Sequence, residues 1–226
     1  MRNRFSYSHL AITAACAAMV STSALASGQY VVEDAELIGR NSCDLELWHS
    51  DADEASFVNT TCRGEQRFQG NLEIELPRFD REVFAAEGKW LFRDLAEDNF
   101  GLGLFGGAVM ESESDRISEY FLLVPFSIAA PGDHANFHFN LGATRDRVNS
   151  TTELLYGAAT EAPLAGPFEA VAEVFGTDRG DPTVQVGLRM LAFSEQLSID
   201  VSYLEELDRG GANGWAAGVG FTALQF

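Results

Sequence analysis

Beyond residue 41 the chain alternates apolar and polar positions with a period of two. Leu72, Ile74 and Leu76 alternate with Glu73 and Glu75. Phe137, Phe139 and Leu141 alternate with Asn136, His138 and Asn140. Val184, Val186 and Leu188 alternate with Gln185, Gly187 and Arg189, and Leu197, Ile199 and Val201 with Ser198, Asp200 and Ser202. On a strand that period puts the two sets on opposite faces. Short runs rich in Asp, Asn, Gly and Ser, such as 112–116, 146–150, 177–182 and 208–213, supply hairpin turns between them. The pattern predicts twelve strands, with a range of ten to fourteen, at 42–49, 56–63, 70–78, 82–93, 99–111, 117–128, 136–145, 151–160, 167–176, 183–193, 197–207 and 214–226. Many reach about ten residues, the length a tilted strand needs to cross a bilayer. Strands of soluble sandwiches more often run about five or six.

The first 26 residues read differently. Arg2 and Arg4 precede a short apolar core at 10–20, and Ala24 and Ala26 form a small-x-small cleavage site. That order is a secretory signal, with cleavage expected after Ala26. Residues 27–40 are then a periplasmic lead-in or partial plug, and 41–226 the barrel. The expected fold class is all-β, an antiparallel up-and-down transmembrane β-barrel.

Charge sharpens this picture. The 226 residues carry 15 Lys+Arg against 34 Asp+Glu, a net charge of −19. So acidic a chain lacks the basic face that nucleic acid requires. With 46% hydrophobic residues it is too apolar for a disordered acidic tail. If the apolar row faces lipid, the polar row faces a lumen. The lumen-facing candidates are Glu73, Glu75, Glu87, Lys89, Arg93, His138, Asn140, Glu169, Glu173, Arg189 and Asp200. An acidic lumen suits passage of small polar or cationic solutes. An interior filled by its own side chains, with a purely structural role, fits the same residues.

Two cysteines lie beyond the signal, Cys43 and Cys62. In an antiparallel hairpin centred on 52–53, Cys43 faces Cys62 and Trp48 faces Phe57. An exported chain with such a pair is expected to carry one disulfide. No metal or cofactor set is legible. His134 and His138 are four apart, and on a strand that is about 13 Å, too far for a shared metal. The glycines at 101, 103, 106 and 107 are not followed by a helix, so they read as close packing rather than a nucleotide loop. No nucleophile–base pair is visible in the sequence, so a lipid-modifying enzyme is an alternative without a site. A soluble periplasmic β-barrel ligand-binding protein is the other alternative.

The segments EDAELI (33–38), CDLELW (43–48), GNLEIEL (70–76), FNLGATRD (139–146), FEAVAEVFG (168–176) and VQVGLRMLAFSEQLSIDVSY (184–203), with Phe226 last, resemble uncharacterised proteobacterial outer-membrane β-barrels. Some relatives of that kind are assigned as outer-membrane transporters of aromatic-degradation pathways. The resemblance implies the outer membrane of a Gram-negative bacterium and carries over no established catalytic residues; the expected state is a monomer surrounded by lipid. It implies that Phe226 is the assembly signal read by the barrel-assembly machinery. Leu224, Thr222 and Gly220 share the face of Phe226, whereas Phe221, Val219 and Trp215 lie on the other. A bulge or kink near Gly220 would bring the two sets into phase. With both termini periplasmic, 49–56, 112–116, 146–150, 177–182 and 208–213 are extracellular.

Overall fold

A computed structural model describes residues 29–226 except 79–81, 113–115, 133, 194–195 and 209–210. The expected signal, with Ala24 and Ala26, lies outside the described residues.

Twelve antiparallel strands follow one another around a closed barrel: β1 (Ser42–Ser50), β2 (Ala55–Arg63), β3 (Phe68–Pro77), β4 (Val83–Arg93), β5 (Phe100–Glu111), β6 (Ile117–Ala129), β7 (Asn136–Asp146), β8 (Thr151–Pro163), β9 (Phe168–Thr177), β10 (Thr183–Ala192), β11 (Leu197–Glu206) and β12 (Asn213–Gln225). β1 pairs with β12, so no strand edge is left with unpaired backbone groups. The near end holds Asn41, where the chain joins the wall, and the turns β2–β3, β4–β5, β6–β7, β8–β9 and β10–β11. The far end holds the turns β1–β2, β3–β4, β5–β6, β7–β8, β9–β10 and β11–β12.

The two faces of the wall are inverted relative to a water-soluble protein. Leu72, Trp90, Phe126, Phe139, Leu141, Val186 and Trp215 are exposed on the outside. Gln69, Lys89, Ser127, His138, Glu173, Arg189 and Asp200 are buried on the inside. A soluble globule exposes scattered apolar residues but does not bury one charged row and expose one continuous aromatic and aliphatic row.

Three bulges set the phase of this alternation. Leu91 pairs with Gly103 but Arg93 pairs with Leu102, so Phe92 is an extra residue in β4. Val109 faces Glu119 and Met110 faces Ile117, so Ser118 is the extra residue of β6. Asp44 faces Thr222 while Cys43 faces Leu224, which places the third bulge between 222 and 224 of β12. Trp215 and Leu224, of opposite parity, are thereby both exposed. The phase change expected near Gly220 thus lies two to four residues later.

Cys43 and Cys62 are directly opposite in the β1–β2 register and joined by a disulfide. The bridge closes a loop of sequence separation 19. Cross-links of this loop size typically contribute about 2–4 kcal/mol. The double variant C43S/C62S is expected to assemble and to lose stability in that range, read as a lower urea midpoint.

Candidate functional site

The barrel is not empty. Residues 29–38 run from the near end into the interior without joining any strand. A backbone there must find other partners, because buried N–H and C=O groups are rarely left unpaired. Side chains of the wall supply them. Glu173 of β9 accepts the N–H of Val31 and of Val32, each at 3.0 Å. Asn140 of β7 clamps Glu33 from both sides, accepting its N–H and donating to its carbonyl at 2.7 Å each. Ser127 of β6 accepts the Ala35 N–H at 2.8 Å, and Gln69 of β3 the Ile38 N–H at 3.1 Å. Arg63 of β2 donates to the Ile38 carbonyl at 2.7 Å, and Gln185 of β10 to the Gln29 carbonyl at 3.2 Å. The partners come from strands all round the wall, which fixes the segment within the barrel.

Close packing matches this path. A Cβ on Gly101 of β5 would collide with the Ala35 carbonyl, and one on Gly187 of β10 with the Tyr30 hydroxyl. A Cβ on Gly157 of β8 would lie 2.8 Å from Val32 Cγ2. Gly101 therefore makes room for the segment. Ala35 and Leu37 pack with Leu91 of β4 in a small buried apolar cluster.

Two basic side chains anchor the charges of the interior. Lys89 is 2% exposed; it pairs with Glu33 and Asp34 of the segment, the latter at 2.8 Å, and donates to the Glu36 carbonyl at 3.0 Å. Burial pushes the Glu36 carboxyl well above the usual carboxylate range, and Asp34, Asp94 and Glu161 add to the rise. Arg189 is wholly buried; its Nε donates to Asp200 at 2.8 Å and its Nη1 to Glu161 at 2.9 Å. Glu169 stands 3.9 Å from the same Nη1. The guanidinium lies over the Tyr30 ring, 5.4 Å from its centre.

Glu161 was not among the residues singled out from the sequence. The sequence pattern ends the eighth strand at 160, whereas the strand runs to Pro163 and its inward face continues to Glu161. Its second oxygen lies 3.8 Å from His138 Nε2, and His138 Nδ1 is 2.8 Å from Ser127 Oγ. The structure thus does bring a hydroxyl, an imidazole and a carboxylate together, where the sequence shows no nucleophile–base pair. The pairing follows from the β6–β7 register, in which Ser127 faces His138. Ser127 already accepts the Ala35 amide and has no exposed surface. With the segment seated, no substrate reaches that oxygen, and the three residues act as fastening.

The other lumen candidates divide. Glu73, Glu75 and Glu87 are half-buried on the inner row of β3 and β4. Arg93 is not inside: the Phe92 bulge turns it outward, where it is exposed, 3.3 Å from Asp98 and over the Phe100 ring. Leu91, Phe105 and Leu123 are buried and apolar, so the inner row is not uniformly polar.

Above the segment, at the far end, two cavities of about 460 and 350 Å³ share Val31, Phe175, Thr183 and Glu206 as lining. They form a vestibule whose floor is the segment itself. Among the described residues, no group of three or more His, Cys, Asp or Glu is placed to hold a metal ion.

The chain belongs to the family described as uncharacterised conserved protein UCP029691, which matches residues 14–223. Among solved structures, the fold is similar to the KdgM porin in complex with disordered oligogalacturonate, at 10% identity and a TM-score of 0.65. That match covers 80% of this chain and 98% of the other. It is also similar to the NanC porin, at 12% identity and a TM-score of 0.57, covering 80% of this chain and 99% of the other. At these identities the likeness is one of fold. The sequence matches no curated protein.

Proposed function

We propose that this member of the family is a monomeric porin-like barrel of a Gram-negative outer membrane. It takes small polar or cationic solutes at an acidic mouth, and its own residues 29–40 plug the passage from the periplasmic side. The observation that carries the membrane reading is the inverted wall, polar within and aromatic and aliphatic without. Only lipid makes that arrangement favourable over the whole circumference. Asp200, Glu161, Glu169 and Glu173, together with Glu33, Asp34 and Glu36 of the segment, outnumber Lys89, Arg189 and Arg63 inside. A polyanion such as an oligogalacturonate is therefore a poor cargo, despite the shared fold. Barrel-assembly machinery and outer-membrane lipid are the partners this reading requires. Ser127 being sealed beneath the segment favours a non-enzyme.

Leu122 tests the membrane reading directly. It sits mid-strand in β6 and is 56% exposed. In water Leu122→Arg is close to neutral, within about ±0.5 kcal/mol. At the middle of a bilayer it costs about 2–4 kcal/mol. The variant is expected to fold poorly into lipid vesicles, read by heat-modifiable gel migration. Unchanged folding together with recovery in a detergent-free soluble fraction contradicts the membrane reading. Planar-bilayer recording across a salt gradient tests the acidic passage, and anion selectivity contradicts it.

A further inference from the structure

The larger far-end cavity has an unusual lining. Trp48 and Phe57, paired across β1 and β2, stack with ring centres 4.8 Å apart and planes 4° from parallel on its wall. Asp53, Glu73 and Glu206 supply carboxylates, and among the lining residues none is Lys, Arg or His. Gln185 lines it as well and is 1% exposed. Its amide nitrogen donates to the Gln29 carbonyl and to Ser202 Oγ, while its buried Oε1 has no hydrogen-bond partner among the described residues. A buried acceptor without a donor is unfavourable, so a donor at this position is favoured. The cavity thus combines π-faces, carboxylates and a spare acceptor, all of which attract positive charge. Its volume lies within the roughly 300–1,000 Å³ of small-molecule sites.

We propose that this vestibule is a binding site for a small organic cation, a protonated or quaternary amine carrying an apolar body. The inference rests on the far end being the solute-facing mouth and names the class of solute it holds. The apolar body packs on Trp48 and Phe57, the charge faces Glu73, Asp53 and Glu206, and a donor, where the cation has one, meets Gln185 Oε1. Neutral molecules of the same shape gain the packing and lose the electrostatic part. Anions meet like charge and no donor side chain of Lys, Arg or His.

The test uses the full chain in detergent micelles and calorimetric titration with choline and with its neutral isostere 3,3-dimethyl-1-butanol. Saturable choline binding is expected, with the isostere at least about tenfold weaker, a difference of about 1.4 kcal/mol. Trp48→Leu and Glu73→Gln are each expected to weaken choline binding several-fold, and Trp48→Phe to preserve most of it. Heat-modifiable migration confirms that each variant is folded. Equal binding of choline and the isostere, or binding unchanged in both Trp48→Leu and Glu73→Gln, overturns the site. So does the absence of saturable choline binding. Binding in micelles needs no conduction. Cation-selective currents without choline binding sink the site and spare the passage. Choline binding in a barrel that conducts neither intact nor without residues 29–40 does the reverse.

Discussion

Removing residues 29–40, with residues 1–28 kept, is expected to turn a barrel with no resolvable conductance into one with discrete cation-selective steps. The intact chain fills its interior with a backbone held from β2, β3, β6, β7, β9 and β10. The wall does not depend on those bonds. Its strands pair continuously from β1 to β12 and back to β1, and Arg189 keeps both Asp200 and Glu161, neither of which belongs to the segment. Lys89 loses Glu33 and Asp34, but water entering the cleared interior hydrates its ammonium. Gly101→Val approaches the same state without deleting any charge, because its side chain would occupy the place of the Ala35 carbonyl. Steps of equal size in the intact chain, the deletion and Gly101→Val would show that the segment does not close the passage. The pH dependence has a definite sign. Burial raises the Glu36 and Glu33 carboxyls in the seated state. A carboxyl raised in one state favours that state while protonated and opposes it as pH rises through the shifted value. Near neutral pH the intact chain stays closed, and its openings should appear only toward alkaline pH; Glu36→Gln should flatten that dependence. A fall in opening with rising pH would contradict it.

How much of this was legible in the residues differs between wall and interior. The wall was legible because its two faces meet different solvents, and an alternation of period two records that difference at every position. All twelve strand positions follow from it, as does the register placing Cys43 opposite Cys62. The bulges were not legible. Nothing around Phe92 announces an extra residue, and one extra residue suffices to turn Arg93 from inside to outside. In β12 the mismatch of parity announced a bulge, but the glycine at 220 pointed to the wrong place. The path of residues 29–38 left no periodic signal, because an extended segment bonded to side chains has no repeat of its own. Its partners lie up to 156 positions away, as between Gln29 and Gln185. The meeting of Ser127, His138 and Glu161 likewise depends on pairing across β6, β7 and β8.

Arg189→Met is expected to be among the most destabilising single substitutions in the wall, by about 3–5 kcal/mol. Coulomb attraction alone does not decide this, since desolvating three charged groups offsets much of what their pairing gains. What decides it is the state left behind. Arg189 and Asp200 have side chains with no exposed surface, and the Glu161 side chain is 13% exposed. Removing the guanidinium leaves Asp200, Glu161 and the nearby Glu169 without their shared cation and with little access to water. They must either take up protons or draw the barrel open to hydrate. Arg189→Lys should recover only part of the loss, because one ammonium cannot replace a planar fork that reaches Asp200 through Nε and Glu161 through Nη1. The triple change R189M/D200N/E161Q removes the cation and its two hydrogen-bonded carboxylates together and should return most of the stability. Unfolding in urea from lipid vesicles measures each variant. A loss below about 1 kcal/mol for Arg189→Met would mean that water already reaches the carboxylates, as in an exposed pair. A triple variant no more stable than the single one would show that the arginine's packing against Tyr30, rather than its charge, holds this part of the interior together.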